Sequence, residues 1–313
     1  VAIANAVVNA QKQTAKPIML AWNARPELAR EAYALVDDYG IPRFRTPVRC
    51  ARAFGALSQY AEALARFDQH GAEQPMKIEL PALRRRLRGQ ARDMTEFEAK
   101  QVLAQYGIPV TREALAGTRE EALKLADEIG YPLVMKVQST DIPHKTEAGG
   151  VKLGLAGREA VGPAWDEIMG NAGAYAPQAK IDGILLQEQV MGGIEVILGV
   201  NNDPLFGPAV MFGLGGIFAE VMKDVSFRLC PVTQSEAMAM IREIHAFPIL
   251  DGARGKPRAD LDALAAAIMR LSALAIDLKD EVAELDINPL FVFPAGRGVK
   301  AGDALIKPRT KHG

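Results

Sequence analysis

The sequence predicts an α/β protein in two parts, and three observations carry that prediction. Short apolar runs of strand length alternate with stretches whose apolar residues recur at helical spacing. Two capping boxes, Thr95-x-x-Glu98 and Thr118-x-x-Glu121, mark helix starts. Between Asp68 and Arg92 both patterns fail, which divides the chain into residues 1–67, a linker over 68–92 and a larger domain over 93–313. A chain of 313 residues is long enough for two or three domains with substantial cores.

In the first part, Ile18 to Trp22 predicts a strand, and Pro26 opens an amphipathic helix with Leu28, Ala32, Leu35 and Val36 on one face and Gly40 as its stop. An extended piece over 41–44 leads to a second helix from Pro47 that carries Phe54, Leu57 and Leu64. One strand and two helices cannot bury a sheet alone, and the chain opens with Val1 in what reads as a helix end, so a piece of a longer polypeptide is expected. The linker holds Pro75, Pro81 and the basic run Arg84-Arg85-Arg86, which reads as a solvated face. Beyond it, the capped helices end at Gly107 and Gly130. Strands follow at Leu133–Val137, Val151–Leu153, Gly183–Val190, Ile194–Val200 and Pro208–Phe212, with helices from Pro163, Ser235 and Asp260 and a strand pair turning about Pro294 to Gly298.

Lysine plus arginine (37) nearly balances aspartate plus glutamate (38), so no polyanionic partner such as nucleic acid is expected. Cys50 and Cys230 fit no metal or redox spacing and suit a reducing compartment. No apolar run reaches the length of a membrane span and no signal peptide is evident, so a cytoplasmic protein is expected.

The chemistry concentrates between Tyr131 and Gly154. Lys136 interrupts a strand that is otherwise apolar, where it either snorkels along the sheet or meets an anion. The loop His144-Lys145-Thr146-Glu147-Ala148-Gly149-Gly150 follows. Its glycine pair, Gly149 and Gly150, either lets backbone N–H groups approach phosphate oxygens or merely serves the turn. Between Gln138 and Glu147 the loop reads as poor in large apolar anchors and so as able to swing between two sites. Near the C-terminus, a hairpin turning about Ala295-Gly296 places Asn288 opposite Asp303, at the roughly 5 Å of a cross-strand pair. An amide oxygen and a carboxylate so placed can share a hard cation such as magnesium, or form an ordinary surface pair. Gly213-Leu214-Gly215-Gly216 lacks the Walker pattern and is a weak phosphate-loop signal. Glu188 and Glu195 offer acceptors for ribose hydroxyls and an adenine amine, though a lone glutamate is more often solvated.

Taken together, residues 94–307 resemble the ATP-grasp β part of the NDP-forming acyl-CoA synthetases, relatives of the succinyl-CoA synthetase β subunit. The stretches that carry the resemblance are TEFEAKQVLAQYGIPV, YPLVMKVQSTDIPHKTEAGGV, FGLGGIFAEVMKDVSFRLCPV and ELDINPLFV with the later Asp303-Ala304-Leu305. Thr146 and Glu147 stand where the family pattern usually has Ser and Asp, which keeps hydroxyl and charge. The resemblance implies an ATP-grasp fold, two α+β subdomains enclosing a nucleotide site, preceded by the end of a flavodoxin-like domain. It implies ATP or ADP with Mg²⁺ as cofactors, Lys136 on the phosphates, Glu188, Val190 and Glu195 along adenine and ribose, Asn288 and Asp303 on the metal, and His144 as a transiently phosphorylated histidine on a mobile loop. It also implies CoA-binding and flavodoxin-like domains upstream or on a partner subunit, and an acyl substrate, so that this chain is half of an enzyme. The other readings are a non-catalytic regulatory nucleotide-binding module, which has no need of His144, and a biotin-carboxylase-like ligase, which leaves the HKTEAGG loop unexplained.

Overall fold

Proline, glycine and capping residues divide the chain in a computed structural model that describes residues 1–70, 73–142, 144–215, 224–255 and 257–309. Two compact units result, Val1–Glu73 and Gln74–Gly313. The first unit holds α1 (Ala2–Lys12), β1 (Leu20–Ala21), α2 (Pro26–Asp38), β2 (Arg43–Phe44) and α3 (Pro47–His70). The strand expected over 18–22 shrinks to two residues because β1 pairs only with the equally short β2, in parallel. Ala4, Val8, Ala32, Val36 and Ile41 make a small core. Leu28 on α2 and Phe54, Leu57 and Leu64 on α3 stay exposed.

In the second unit, α4 (Pro81–Leu87) corrects the reading of 68–92 as a linker. Leu83 and Leu87 lie in the main core of this unit, and Arg84 is ion-paired to Asp277, so the basic run is one face of a packed helix. Then come α5 (Glu96–Gln105), β3 (Glu113–Ala116), α6 (Arg119–Ile129), β4 (Leu133–Gln138), β5 (Val151–Leu155), α7 (Arg158–Tyr175) and β6 (Gly183–Glu188). Thr95 caps α5 through the predicted reciprocal box. At α6 the Thr118 side chain accepts from the Glu121 N–H, but Glu121 turns to the Gly117 N–H. The helix expected from Pro163 starts earlier, at Arg158, with the proline inside it.

Strands β3, β6, β4 and β5 form an antiparallel four-stranded sheet in that order. Met135, Val137 and Leu186 of this sheet pack against α6 and α7 through Ala126, Ile129, Val161 and Ile168. Because side chains alternate along a strand, Lys136 faces the opposite side.

The remaining elements are β7 (Ile194–Asp203), β8 (Gly207–Leu214), β9 (Val225–Leu229), α8 (Gln234–Glu243), α9 (Phe247–Leu250), α10 (Leu261–Asp277), β10 (Val282–Val292), β11 (Val299–Ala301) and β12 (Ala304–Pro308). A second antiparallel sheet runs β10-β7-β8-β9, with β11 and β12 both on the outer side of β10. Leu198, Phe212, Leu271 and Ile287 belong to its core, together with Leu103 of α5 and Ile241 of α8. The C-terminal strands keep the predicted register: Phe291 pairs with Lys300 and Ile287 with Ala304, which brings Asn288 and Asp303 opposite each other in the gap between β11 and β12. Gly216 of the glycine cluster, with the GIFAEVMK run, lies outside the described residues. Among the described residues no helix is long and apolar enough to cross a membrane.

Candidate functional site

The site grows from a lysine whose side chain is nearly buried. Lys136 Nζ donates to Glu96 Oε1 at 2.6 Å and lies 3.5 Å from Asp303 Oδ2. Burial alone would lower its pKa, but Glu96 and Asp303 outweigh that and hold it above the ordinary lysine value. Of the two options that the residue type left open, an anion partner is the one observed, and that anion is the protein's own.

Glu96 escaped notice in the sequence because it reads as an ordinary acidic residue in the first turn of a helix. Its side chain is 1 % exposed and accepts from three lysines, Lys100 at 2.9 Å, Lys136 at 2.6 Å and Lys145 at 2.8 Å. Burial would push its carboxyl up, but Lys136, Lys100 and Lys145 hold it far below the usual carboxylate range. Lys100, fully buried, also contacts Thr111 Oγ1 at 3.2 Å, Gln187 Oε1 at 3.1 Å, the Gly302 carbonyl at 3.2 Å and the carboxylate of Glu113. One ammonium thus joins α5, the edge strand β3, its neighbour β6 and the β11–β12 connection. Only the fold reveals this, since an i,i+4 Glu–Lys pair usually marks a solvated helix face.

The His144 loop is better anchored than its composition suggested. Ile142 is fully buried in the core of the small sheet, which corrects the reading of this loop as lacking apolar anchors. At the other end the glycines pack closely: a Cβ on Gly149 would lie 2.7 Å from Asn171 Nδ2, and one on Gly150 would lie 2.5 Å from Val137 Cγ1. Gly149 also takes φ +62°. Their N–H groups bond within the loop, Gly149 to the Thr146 carbonyl at 3.1 Å and Gly150 to the Lys145 carbonyl at 2.8 Å. Between these anchors His144, Thr146 and Glu147 are exposed.

Asn288 and Asp303 are tied through their backbones, the Asn288 N–H donating to the Asp303 carbonyl at 3.2 Å. Asp286, two residues before Asn288 and exposed like it, adds a carboxylate on the same face of β10, a neighbour passed over in the sequence. Burial and Glu96 push the Asp303 carboxyl up, although Lys136 pulls the other way. Among the described residues no three His, Cys, Asp or Glu side chains group closely enough to hold a metal by themselves.

Glu188 ends β6 and accepts from the Arg112 N–H at 2.8 Å, Arg112 Nε at 3.0 Å and Lys300 Nζ at 2.7 Å. Burial works against its charge, but Lys300 and Arg112 outweigh that and keep its pKa low. Val190 is half-buried and Glu195 exposed, so all three lie along the segment that passes from the small sheet to the large one. A cavity of about 260 Å³ is lined by Lys136, His144, Lys145, Thr146, Glu147, Val151 and Asp303. Three of the predicted residues, Lys136, His144 and Asp303, therefore meet in one space, while Gly149, Gly150, Glu188, Val190, Glu195 and Asn288 are not part of its lining.

Residues 85–307 match the family described as the ATP-grasp domain. The β subunit of ADP-forming acetate–CoA ligase II from Pyrococcus furiosus is 50 % identical over 213 residues, 68 % of this chain and 90 % of that one. ADP-forming acetate–CoA ligase I from Archaeoglobus fulgidus is 40 % identical over 276 residues, 87 % of this chain but 40 % of its own length. Among solved structures, acetyl-coenzyme A synthetase 1 of Ca. Korarchaeum cryptofilum, in complex with coenzyme A and Mg-AMPPCP and with its phosphohistidine segment pointing towards the nucleotide-binding site, superposes with a TM-score of 0.63 at 38 % identity, covering 73 % of this chain and 98 % of that one.

Proposed function

This chain belongs to the ATP-grasp domain family, and from that premise we propose that it is the nucleotide-binding and phosphoryl-transfer part of an ADP-forming acyl-CoA synthetase. The whole enzyme would join an acid to CoA while ATP becomes ADP and phosphate. The observation that carries this reading is the convergence of a nucleophile, a cation and a carboxylate, His144, Lys136 and Asp303, on one cavity. At about 260 Å³ the cavity is smaller than the roughly 300–1,000 Å³ of most small-molecule pockets, a size for phosphates with the nucleoside lying outside it along Glu188, Val190 and Glu195.

In the proposed step a ring nitrogen of neutral His144 attacks the terminal phosphorus of ATP. The bond from that phosphorus to the bridging oxygen breaks, ADP departs with the electron pair, and the second ring N–H gives its proton to solvent. Lys136 and Lys145 neutralise charge on the phosphate oxygens, where most of the catalysis of such a step resides. Asn288 and Asp303 are hard oxygen donors of the kind magnesium takes when phosphate and water complete its shell, so the residues present fit that ion. Bound there, magnesium would neutralise and orient the phosphates.

The next acceptor of the phosphoryl group belongs to CoA-binding and flavodoxin-like domains, upstream in the same polypeptide or on a partner subunit. The Archaeoglobus relative, of whose length the match covers 40 %, supports that arrangement. Two unpaired thiols suit a cytoplasmic setting. Incubation with γ-labelled Mg-ATP should give an acid-labile, base-stable label on the wild type and none on His144→Asn. Equal labelling of both proteins, or none on a wild type that binds Mg-ATP, counts against His144 as the carrier. Turnover of acid, ATP and CoA by this chain alone would overturn the half-enzyme reading.

A further inference from the structure

The three lysines on Glu96 come from three places that have to act together: Lys100 from the same helix, Lys136 from the strand at the base of the cavity and Lys145 from the residue next to His144. Lys136 and Lys145 both line the cavity, and Glu96 holds both, Lys136 on Oε1 and Lys145 on Oε2. Two ammonium groups so placed would repel each other in the absence of this carboxylate. The tie to Lys145 matters for the loop as well. Ile142 fixes one end and the packed Gly149–Gly150 pair fixes the other, so between them the bond from Lys145 to Glu96 joins the His144 segment to a buried group.

We propose that Glu96 is a positioning residue for the phosphoryl transfer: it holds Lys145, and with it His144, against the Lys136 strand until the phosphate chain of the nucleotide takes over both ammonium groups. This deepens the function proposed above and rests on it. Before the nucleotide arrives, Glu96 is the anion of the phosphate site. Phosphate oxygens carry more charge than one carboxylate and can draw both lysines forward, while Lys100 stays behind with Glu113 to neutralise the site from within. Neutralising Glu96 should therefore loosen the loop and misplace the nucleophile without removing either phosphate-binding cation.

The test uses the full chain and the variants Glu96→Gln, Lys145→Met and Lys145→Arg. Amide hydrogen exchange is followed at Ala148, Gly149 and Gly150, whose N–H groups bond within the loop. In nucleotide-free protein, exchange should accelerate by about tenfold or more in Glu96→Gln and Lys145→Met, the loss expected for a charge-assisted hydrogen bond, and Lys145→Arg should restore protection. In Glu96→Gln the affinity for Mg-ATP should stay the same or tighten while the rate of labelling of His144 falls by about tenfold or more. Unchanged exchange in both loosening variants overturns the proposal, as does an equal fall in affinity and labelling rate, which is what a merely structural glutamate would give. Should Glu96→Gln fail to fold, exchange in Lys145→Met against Lys145→Arg decides alone. Exchange in nucleotide-free protein does not depend on His144 being phosphorylated. A loosened loop with no label on the wild type would therefore count against the proposed function and leave the tie intact.

Discussion

Glu96 and Glu188 are the same residue type, each gathering several cations, and their surroundings make them unequal. Each accepts from cations on more than one element: Glu96 from α5, β4 and the His144 loop, Glu188 from the residue before β3 and from β11. The Glu96 side chain is 1 % exposed, whereas Glu188 is 14 % exposed with an Arg112 partner at 67 %. Water screens the second cluster, while in the first the Glu96 carboxylate and Lys100 are shut away from it, so breaking the first leaves an uncompensated charge inside the protein. The Glu96 cluster is therefore anchored on a buried carboxylate, and the Glu188 cluster on one that water reaches.

Breaking that contrast should be easiest at Lys100. Lys100→Met would strand Glu96 and Glu113 without their shared cation and should cost about 3–5 kcal/mol of stability, measured by urea unfolding. Lys136→Met keeps the stem and removes the charge at the cavity. Nucleotide affinity in the folded variant should fall by about one to two orders of magnitude, the worth of a charge-assisted hydrogen bond, and unchanged affinity by calorimetry would remove Lys136 from the phosphate site. Asn288→Ala and Asp303→Ala should each raise the magnesium needed for nucleotide binding, and a double-mutant cycle should show coupling between them, because Asn288 on β10 lies opposite Asp303 in the break between β11 and β12. Full additivity would mean that they do not share an ion. Glu188→Gln should change stability by no more than about 1 kcal/mol.

Acid sharpens the same contrast. Both glutamates have folded-state pKa values below the ordinary one, so each stabilises the fold fully above the unfolded value of about 4.3 and loses that contribution as pH falls through its folded value. Glu96 is held far down by Lys136, Lys100 and Lys145 against burial. The stability difference between wild type and Glu96→Gln should accordingly persist to lower pH than the difference for Glu188→Gln, in urea titrations at neutral pH and near pH 4. Loss of both differences over the same pH range would contradict the stronger hold on Glu96.

What was legible in the sequence was periodic or local. Side-chain alternation and a short turn determine which residues oppose each other, so the Asn288–Asp303 pairing followed from counting along β10 and β12. The Thr95 box marked α5, and the apolar run marked the strand of Lys136. What stayed hidden depends on contacts between residues remote in sequence. Lys100 and Gly302, Glu96 and Lys136, Arg84 and Asp277 meet only after the sheets close, and no spacing rule connects them. Ile142 is a different kind of miss: one apolar residue among polar neighbours has no period, yet it anchors the loop. The short helix α4 was lost among prolines and arginines whose apolar partners, Leu83 and Leu87, are only two. The exposed strand β9 shows a pattern too brief to stand out, with Phe227 and Leu229 in the open.

The grip of Glu96 on Lys136 bears on covalent chemistry as well as on position. An amine attacks an activated acyl group only as the free base, and Glu96 with Asp303 keeps Lys136 an ammonium against the pull of burial. A lysine held as an ammonium is protected from unwanted acylation. The carboxylate that aims this lysine also removes its lone pair from reach, so Lys136 should be acylated by an active ester more slowly than an open surface lysine such as Lys124, and Glu96→Gln should narrow the difference.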